Sequence, residues 1–125
     1  MRVSRPFLLI GGLYLITGMM IGSYMGASGD HRLAPVHAHI NLLGFALMTI
    51  FGLLYYVFPQ MEGGRLAQVH FWLHQAGSLA LMLALWLMLS QRMPEATVGP
   101  VMPLIEAGLV LGTLTFLYNL WRSAR

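Results

Sequence analysis

Two pairs of histidines stand inside apolar stretches of this 125-residue sequence. His37 and His39 lie two residues apart in PVHAHINLLGF, and His70 and His74 lie four residues apart in VHFWLHQAG. Imidazole is costly to bury among apolar groups, so histidines in such stretches mark candidate functional sites. The chemistry open to them is metal ligation, proton exchange and hydrogen bonding.

The composition predicts that these histidines lie in a membrane. Hydrophobic residues make up 58% of the chain and charged residues 9%, and the mean hydropathy is +0.70. Soluble domains carry about 25% charged residues, so this chain cannot cover a water-facing surface. It has no cysteine, which excludes disulfides, thiolate metal sites and covalent haem attachment within this sequence. No basic cluster with interleaved aromatic residues is present, so no nucleic-acid partner is expected.

Four apolar segments are each near the roughly 20 residues that a membrane-spanning helix needs. Turn-forming residues separate them. The sequence therefore predicts an all-α integral membrane protein, a single domain of four transmembrane helices in contact with the lipid bilayer. The expected spans are residues 7–25, 35–58, 66–89 and 101–120.

The arginines predict the orientation, because positive residues concentrate on the cytoplasmic side of membrane proteins. Two of the seven arginines, Arg32 and Arg92, fall on one side of a four-span arrangement. The other five fall on the opposite side: Arg2, Arg5, Arg65, Arg122 and Arg125. Both termini are therefore predicted to be cytoplasmic, and the chain to be a multi-pass protein of the bacterial inner membrane.

This orientation separates the two histidine pairs. His37 and His39 are expected near the outer end of the second helix, and His70 and His74 near the inner end of the third. At about 1.5 Å per residue, His37 and His70 differ in depth by roughly 25 to 30 Å. The pairs are therefore predicted to belong to different sites.

Residues two apart on an α-helix point about 200° apart, so His37 and His39 cannot grip one ion together. They can serve two pockets on opposite sides of one helix. The side of His37 continues at helical spacing through Asn41 and Gly44, a narrow face that could accept a flat macrocycle. The alternative is that both are interfacial histidines, hydrogen-bonded to loop carbonyls or headgroups.

The remaining histidines give weaker signals. His70 and His74 share one helix face and could chelate a divalent metal, but no third ligand accompanies them. Their alternative is interfacial histidines bonded to a neighbouring helix or to water. His31 lies in the outer loop, either solvated or joining His37 and His39 in a copper or zinc site. On the first helix, a stripe of small residues predicts close helix packing: Gly18, Gly22 and Gly26.

The stretch LAPVHAHINLLGFALMTIFGLLYYVFP, residues 33–59, resembles the second transmembrane helix of the catalytic subunit of heme-copper oxidases and nitric oxide reductases. That helix carries the axial histidine of the low-spin haem near its outer end, often followed by asparagine four residues on and by a later proline. His37, Asn41 and Pro59 occupy those positions, and VHFWLHQAG is similar to the start of the family's third helix. The resemblance implies non-covalent haem b bound at His37, with His39, Asn41 and Gly44 contributing to the site.

The chain also departs from that family. Catalytic subunits have about twelve helices, in three arcs of four, and their copper ligands have no counterpart here. One family helix carries a His-x-His pair whose imidazoles face different haems, as the pair His37 and His39 would. Three copies around a closed axis would rebuild twelve helices, with His37 of one protomer facing His39 of the next across a haem. The predicted assembly is therefore a homotrimer.

The function that the resemblance implies is electron transfer in a respiratory membrane, since iron with two axial histidines has no open site. No catalytic residues are predicted; if the chain is an enzyme, it is expected to be an oxidoreductase related to heme-copper oxidases. A membrane quinol is a candidate redox partner. The alternative is an accessory protein without redox turnover, one that binds copper or zinc or senses a gas.

Overall fold

The computed structural model describes residues 1–123, so Ala124 and Arg125 lie outside the described residues, and with Arg125 one of the seven arginines used to predict the orientation. The described chain is helical, and four of its helices are long and apolar enough to span a membrane. They are α1 (Ser4–Ser28), α2 (Ala34–Val57), α4 (Arg65–Leu89) and α5 (Glu95–Ser123), and a single turn, α3 (Pro59–Glu62), follows α2. The predicted all-α fold with four long apolar helices is confirmed.

The fourth helix begins earlier than the sequence predicts. It starts at Glu95 rather than near residue 101 and continues through two prolines, Pro100 and Pro103. The chain accommodates Pro100 in a short 3-10 turn, Gly99–Val101, and places Pro103 in the first turn of the α-helix that follows. Proline is tolerated in a first turn because its missing N–H has no intrahelical partner there.

The bundle has two ends, named here by what they contain. The terminal end holds the start of α1, the turn at 58–64 and the end of α5. The loop end holds the turns at 29–33 and 90–94. At the loop end Gly29 adopts φ +70° and its N–H donates to Met25 O at 3.0 Å, a left-handed helix end that glycine permits without strain.

Helix α1 packs closely along α2, and α4 along α5. Glycines on α1 allow α1 to approach α2 closely. A Cβ at Gly18 would meet Asn41, and one at Gly22 would lie 3.0 Å from the His37 ring. This confirms the packing role predicted for Gly18 and Gly22. At Gly26 a Cβ would meet nothing within 4 Å, so that part of the prediction is wrong.

Two apolar clusters fill the interior. The larger one, towards the terminal end, is rich in aromatic residues from all four long helices, among them Phe7, Phe51, Tyr55, Phe71 and Phe116. The smaller one, towards the loop end, joins Val36 and Ile40 of α2 to residues 81–85 of α4. Helices α1 and α5 remain largely uncovered, with 17% and 11% of their most apolar windows buried.

Helix α2 is not uniform. Between its α-helical ends, residues Ile40–Ala46 form a π-helix, and the N–H of Leu47 accordingly bonds to Leu42 O, five residues back. π-helical segments inside α-helices are rare and frequently lie at functional sites. This one begins immediately after His39.

Candidate functional site

His37 is held between α1 and its own helix. Its Nδ1 donates to the carbonyl oxygen of Gly18 at 2.8 Å, and Nδ2 of Asn41 donates to its Nε2 at 3.2 Å. The ring is half-buried and lies against Gly22. Both ring nitrogens therefore have defined partners and the imidazole is fixed in orientation.

These hydrogen bonds set the tautomer. A carbonyl oxygen can only accept, so the proton of His37 is on Nδ1 and Nε2 carries the lone pair. Metal-bound histidines usually have this arrangement, in which one ring N–H is donated to a backbone carbonyl or carboxylate and the other nitrogen faces the metal.

His39 repeats this arrangement on another side of α2. Its Nδ1 donates to Pro35 O at 2.7 Å, which again leaves the lone pair on Nε2. Residues Ala34–His39 are α-helical, so the divergence of about 200° predicted between His37 and His39 applies to the observed helix. One helix thus presents two Nε2 lone pairs in different directions.

The surface beside His37 differs from the open face expected from the sequence. Helix α1 covers it: Asn41 lies against Gly18, and a Cβ on Gly44 would come within 2.5 Å of Tyr14. In one protomer, Asn41 and Gly44 are thus helix-packing residues, and Asn41 also orients His37. Within one protomer, the helical spacing of these small residues allows the close approach of α1.

His31 lies in the turn at 29–33, where its Nδ1 donates to Gly29 O at 3.0 Å. No group of three or more histidine, cysteine, aspartate or glutamate side chains within residues 1–123 is placed to hold a metal ion. The structure therefore does not assemble the three-histidine site of His31, His37 and His39 within one chain.

The neighbouring Asp30 forms an exposed ion pair with Arg32, with Arg32 Nη2 and Asp30 Oδ2 2.7 Å apart. The hydrogen bonds from the Arg32 side chain and backbone lower the pKa of Asp30 to about 2. Both charges of the pair are therefore present throughout the physiological range.

His70 and His74 are buried in the interior rather than at an interface. Nδ1 of His70 and the Tyr55 hydroxyl are joined by a hydrogen bond of 3.0 Å, and Nε2 of His74 donates to Leu43 O at 2.9 Å. The expected bond to a neighbouring helix is present, and both rings are enclosed by protein. The accepting carbonyl, Leu43, belongs to the π-helical segment of α2.

The contact between His74 and Leu43 also changes the expected difference in depth between His37 and His70. Leu43 is six residues from His37, about 9 Å along the helix, and His70 lies one turn beyond His74. His70 is thus roughly 15 Å from the level of His37, not 25 to 30 Å. The sequence estimate assumed that the ends of α2 and α4 are level, which they are not.

Aromatic rings enclose the inner pair. The centroids of Phe51, Phe116 and Phe7 lie 4.5, 5.1 and 5.2 Å from that of His70. Within residues 1–123, Nε2 of His70 has no hydrogen-bond partner. The two histidine rings are 6.0 Å apart, centroid to centroid.

Two buried polar residues at the terminal end were missed from the sequence. Glu62 is 4% exposed and its Oε1 accepts from the N–H of Ser4 at 2.8 Å, which satisfies the start of α1. Asn119 donates to Met61 O at 3.0 Å and ties α5 to the same turn. The only sequence signal was one acid in the Gly-rich turn before α4.

No family model, curated protein or solved structure matches this chain. Functional inference therefore rests on the histidines and their surroundings.

Proposed function

We propose that this chain is a multi-pass membrane protein that binds haem b non-covalently through His37 and His39 and takes part in electron transfer. The observation that carries the proposal is the hydrogen bond of 2.8 Å from His37 Nδ1 to Gly18 O. It fixes the neutral tautomer with its lone pair on Nε2, which is the form that ligates iron once Asn41 Nδ2 releases that nitrogen. A haem with two axial histidines supplies reversible one-electron transfer.

The donor set suits this cofactor better than a structural metal site. His37 and His39 are neutral nitrogen donors, each anchored at Nδ1 by a carbonyl. A closed zinc site needs four ligands, and no group of three candidate ligands occurs within residues 1–123. Iron in a porphyrin already has four nitrogen ligands and needs only two more.

The two axial ligands are proposed to come from adjacent protomers. Because His37 and His39 diverge by about 200°, one protomer cannot place both on opposite faces of the same macrocycle. A closed ring brings His37 of each copy to His39 of the next at the same depth. Three copies match the twelve helices of the catalytic subunits that residues 33–59 resemble, so a homotrimer is the proposed assembly.

The membrane orientation belongs to the same proposal. The arginine distribution places both termini in the cytoplasm of a bacterial cell, and His37 and His39 near the outer face of its inner membrane. A membrane quinol is the proposed electron donor. Replacing Ser28 or Gln60 with cysteine gives an exposed probe at each end. Only the Ser28 probe should react with an impermeant thiol reagent added outside.

The ligand assignment is tested on protein purified from haem-supplied cells. The wild type should show the absorption and electron paramagnetic resonance spectra of low-spin iron with two histidines. His37→Ala and His39→Ala should each lose this signal. His31→Ala is the matched control, since His31 also donates Nδ1 to a carbonyl but lies in a turn. A colourless wild type with stoichiometric copper or zinc would favour the metal-binding alternative.

Shared ligation is tested by mixing the variants. When His37→Ala and His39→Ala chains carrying different tags are co-expressed and purified through both tags, one seam of the mixed ring keeps an intact ligand pair. Haem should therefore return in the mixture although each variant alone lacks it. If the mixture stays colourless, or a monomer in mild detergent retains low-spin haem, the shared-ligand arrangement is wrong. Carbon monoxide should leave the reduced spectrum unchanged; rapid binding would favour gas sensing.

A further inference from the structure

An apolar groove runs along the outside of the bundle between α1 and α4, with α2 as its floor. Its volume is about 440 Å³. On α1 it extends from Ile10 to Ile21, and on α4 from Leu79 to Trp86. The eleven steps from Ile10 to Ile21 correspond to about 16 Å of helix, which is the length of an acyl chain of roughly a dozen carbons.

A polar pocket of about 410 Å³ lies at the loop end of this groove. Trp86 lines both spaces, so the apolar groove and the polar pocket adjoin at this residue. The polar part is lined by Tyr24, Ser90, Arg92 and the ion pair of Asp30 with Arg32. An occupant must therefore have a long apolar part and a compact polar head.

The net charge of the pocket depends on which of its charged side chains, Asp30, Arg32 and Arg92, are paired. Arg32 is neutralised by Asp30: its Nε and Nη2 donate to Oδ2 at 3.0 and 2.7 Å, and its Nε also donates to Oδ1 at 3.1 Å. Arg92 has no acidic partner within residues 1–123, and its guanidinium lies over the Trp86 ring at 5.0 Å from the centroid. The pocket thus carries one uncompensated positive charge, which suits a head with a single negative charge.

We propose that this site binds an anionic phospholipid, with one acyl chain in the groove between α1 and α4 and the phosphate beside Arg92. Arginine is well matched to phosphate because its planar guanidinium donates two parallel hydrogen bonds. The Ser90 hydroxyl lies in the same pocket, and Trp86 marks the boundary between head and chain, a position that amphipathic indole rings favour in membranes. Basic pockets between transmembrane helices bind acidic headgroups in this manner.

The site does not depend on the proposed haem. Its lining includes neither His37 nor His39, so lipid binding can be measured on the colourless His37→Ala protein. A protein that binds no haem could still bind the lipid, and a protein that does not bind the lipid could still bind haem.

The test uses the fluorescence of Trp86. Tryptophans 72 and 121 are exposed and lie outside the site, so a Trp72→Phe/Trp121→Phe background isolates the probe. This protein is placed in phosphatidylcholine vesicles that contain increasing fractions of phosphatidylglycerol with brominated acyl chains, which quench tryptophan on contact. Brominated phosphatidylglycerol should reach half-maximal quenching at a mole fraction about fivefold lower than brominated phosphatidylcholine does, as expected for one arginine at the surface.

Two variants separate head from chain. Arg92→Gln should remove the preference for phosphatidylglycerol, whereas Arg65→Gln, which changes an exposed arginine at the terminal end, should preserve it. Thr17→Phe places a ring in the groove and should reduce quenching by both lipids. Equal quenching by the two lipids in the unmodified site, or equal loss in Arg92→Gln and Arg65→Gln, would overturn the proposal. Trp86 that neither lipid quenches would assign the groove to a second copy of the chain.

Discussion

The two histidine pairs occupy opposite kinds of environment within one bundle. His37 and His39 each donate from Nδ1 to a backbone carbonyl, and Nε2 of His37 accepts from Asn41. His70 and His74 are enclosed by aromatic rings, 0% and 2% exposed, and bond to the neighbouring helix. The first pair bonds to α1 and to its own helix, whereas the second pair joins α4 to α2.

The spacing of the histidines explains part of this difference. Two residues apart, His37 and His39 diverge, so at most one of them can face any one neighbouring helix. Four residues apart, His70 and His74 share a face and can both enter the core. A pair of histidines in a membrane segment is thus a stronger sign of an external ligand when the spacing prevents both from being buried together.

Substitution within each pair should give the largest contrast. His37→Ala is expected to lose haem while the colourless protein still folds, because a half-buried ring is removed. His70→Ala is expected to keep haem but to lower the free energy of unfolding by about 3 kcal/mol, since it leaves a cavity and an unpaired Tyr55 hydroxyl. Haem content by pyridine haemochrome and unfolding by detergent titration measure both. Equal haem loss in the two variants would remove the distinction.

Gly18 and Gly22 of α1 sharpen the comparison, because they lie against Asn41 and His37 and not against the inner pair. Gly18→Ala puts a methyl group into Asn41 and should cost about 2 kcal/mol of unfolding free energy and disturb the His37 bond. Gly26→Ala on the same helix meets no atom within 4 Å, so its effect should stay within about 0.5 kcal/mol. Detergent-titrated circular dichroism gives both values. If Gly26→Ala costs as much as Gly18→Ala, contact with Asn41 is not the cause.

A substitution at the terminal end should lower the free energy of unfolding by a smaller amount and leave haem binding unchanged. Glu62→Gln weakens the bond from Ser4 N–H at the start of α1 and should cost about 1 kcal/mol without changing haem content. Glu95→Gln is the control, because Glu95 is exposed in the first turn of α5. The same unfolding assay applies to both. A haem loss in Glu62→Gln would contradict the separation of the two ends.

The smallest effect concerns pH. Arg32 lowers the pKa of Asp30 to about 2, below the ordinary carboxyl value, so the folded state favours the ionised form. The contribution of this pair is complete above the ordinary value and is lost only as the pH falls through about 2. Carbon-13 resonance of the Asp30 carboxyl should show no titration between pH 8 and 5. In Arg32→Gln its midpoint should rise; an unchanged midpoint would contradict this cause.

The number and type of the long helices could be predicted because segment length and composition determine them. The start of α5 could not, since Pro100 and Pro103 favour a loop locally and only the observed turn accommodates them. The outer histidines were predicted as candidate site residues from the cost of burying imidazole and from the resemblance of residues 33–59. The enclosure of the inner pair was not foreseen, because the relative level of α2 and α4 depends on packing that no single segment encodes.

The carbonyl partners of the histidines were also beyond the reach of the sequence. The sequence predicts Gly18 as a packing residue. It does not predict that the Gly18 carbonyl oxygen bonds His37, because that contact depends on how α1 lies beside α2. Glycine at this position does two things, since the absence of a side chain is what brings that oxygen within reach of an imidazole.

The π-helical segment Ile40–Ala46 sets the rotation between the two halves of α2. Its wider turns hold about one residue more than an α-helix would for the same rotation. After this segment in the chain, Phe51 and Tyr55 face the aromatic cluster. Before it, His37 faces α1. If the same residues formed a continuous α-helix instead, the extra residue would turn the upper half by about 100° relative to the lower. The direction in which His37 and His39 face is therefore set by a single residue's worth of chain length.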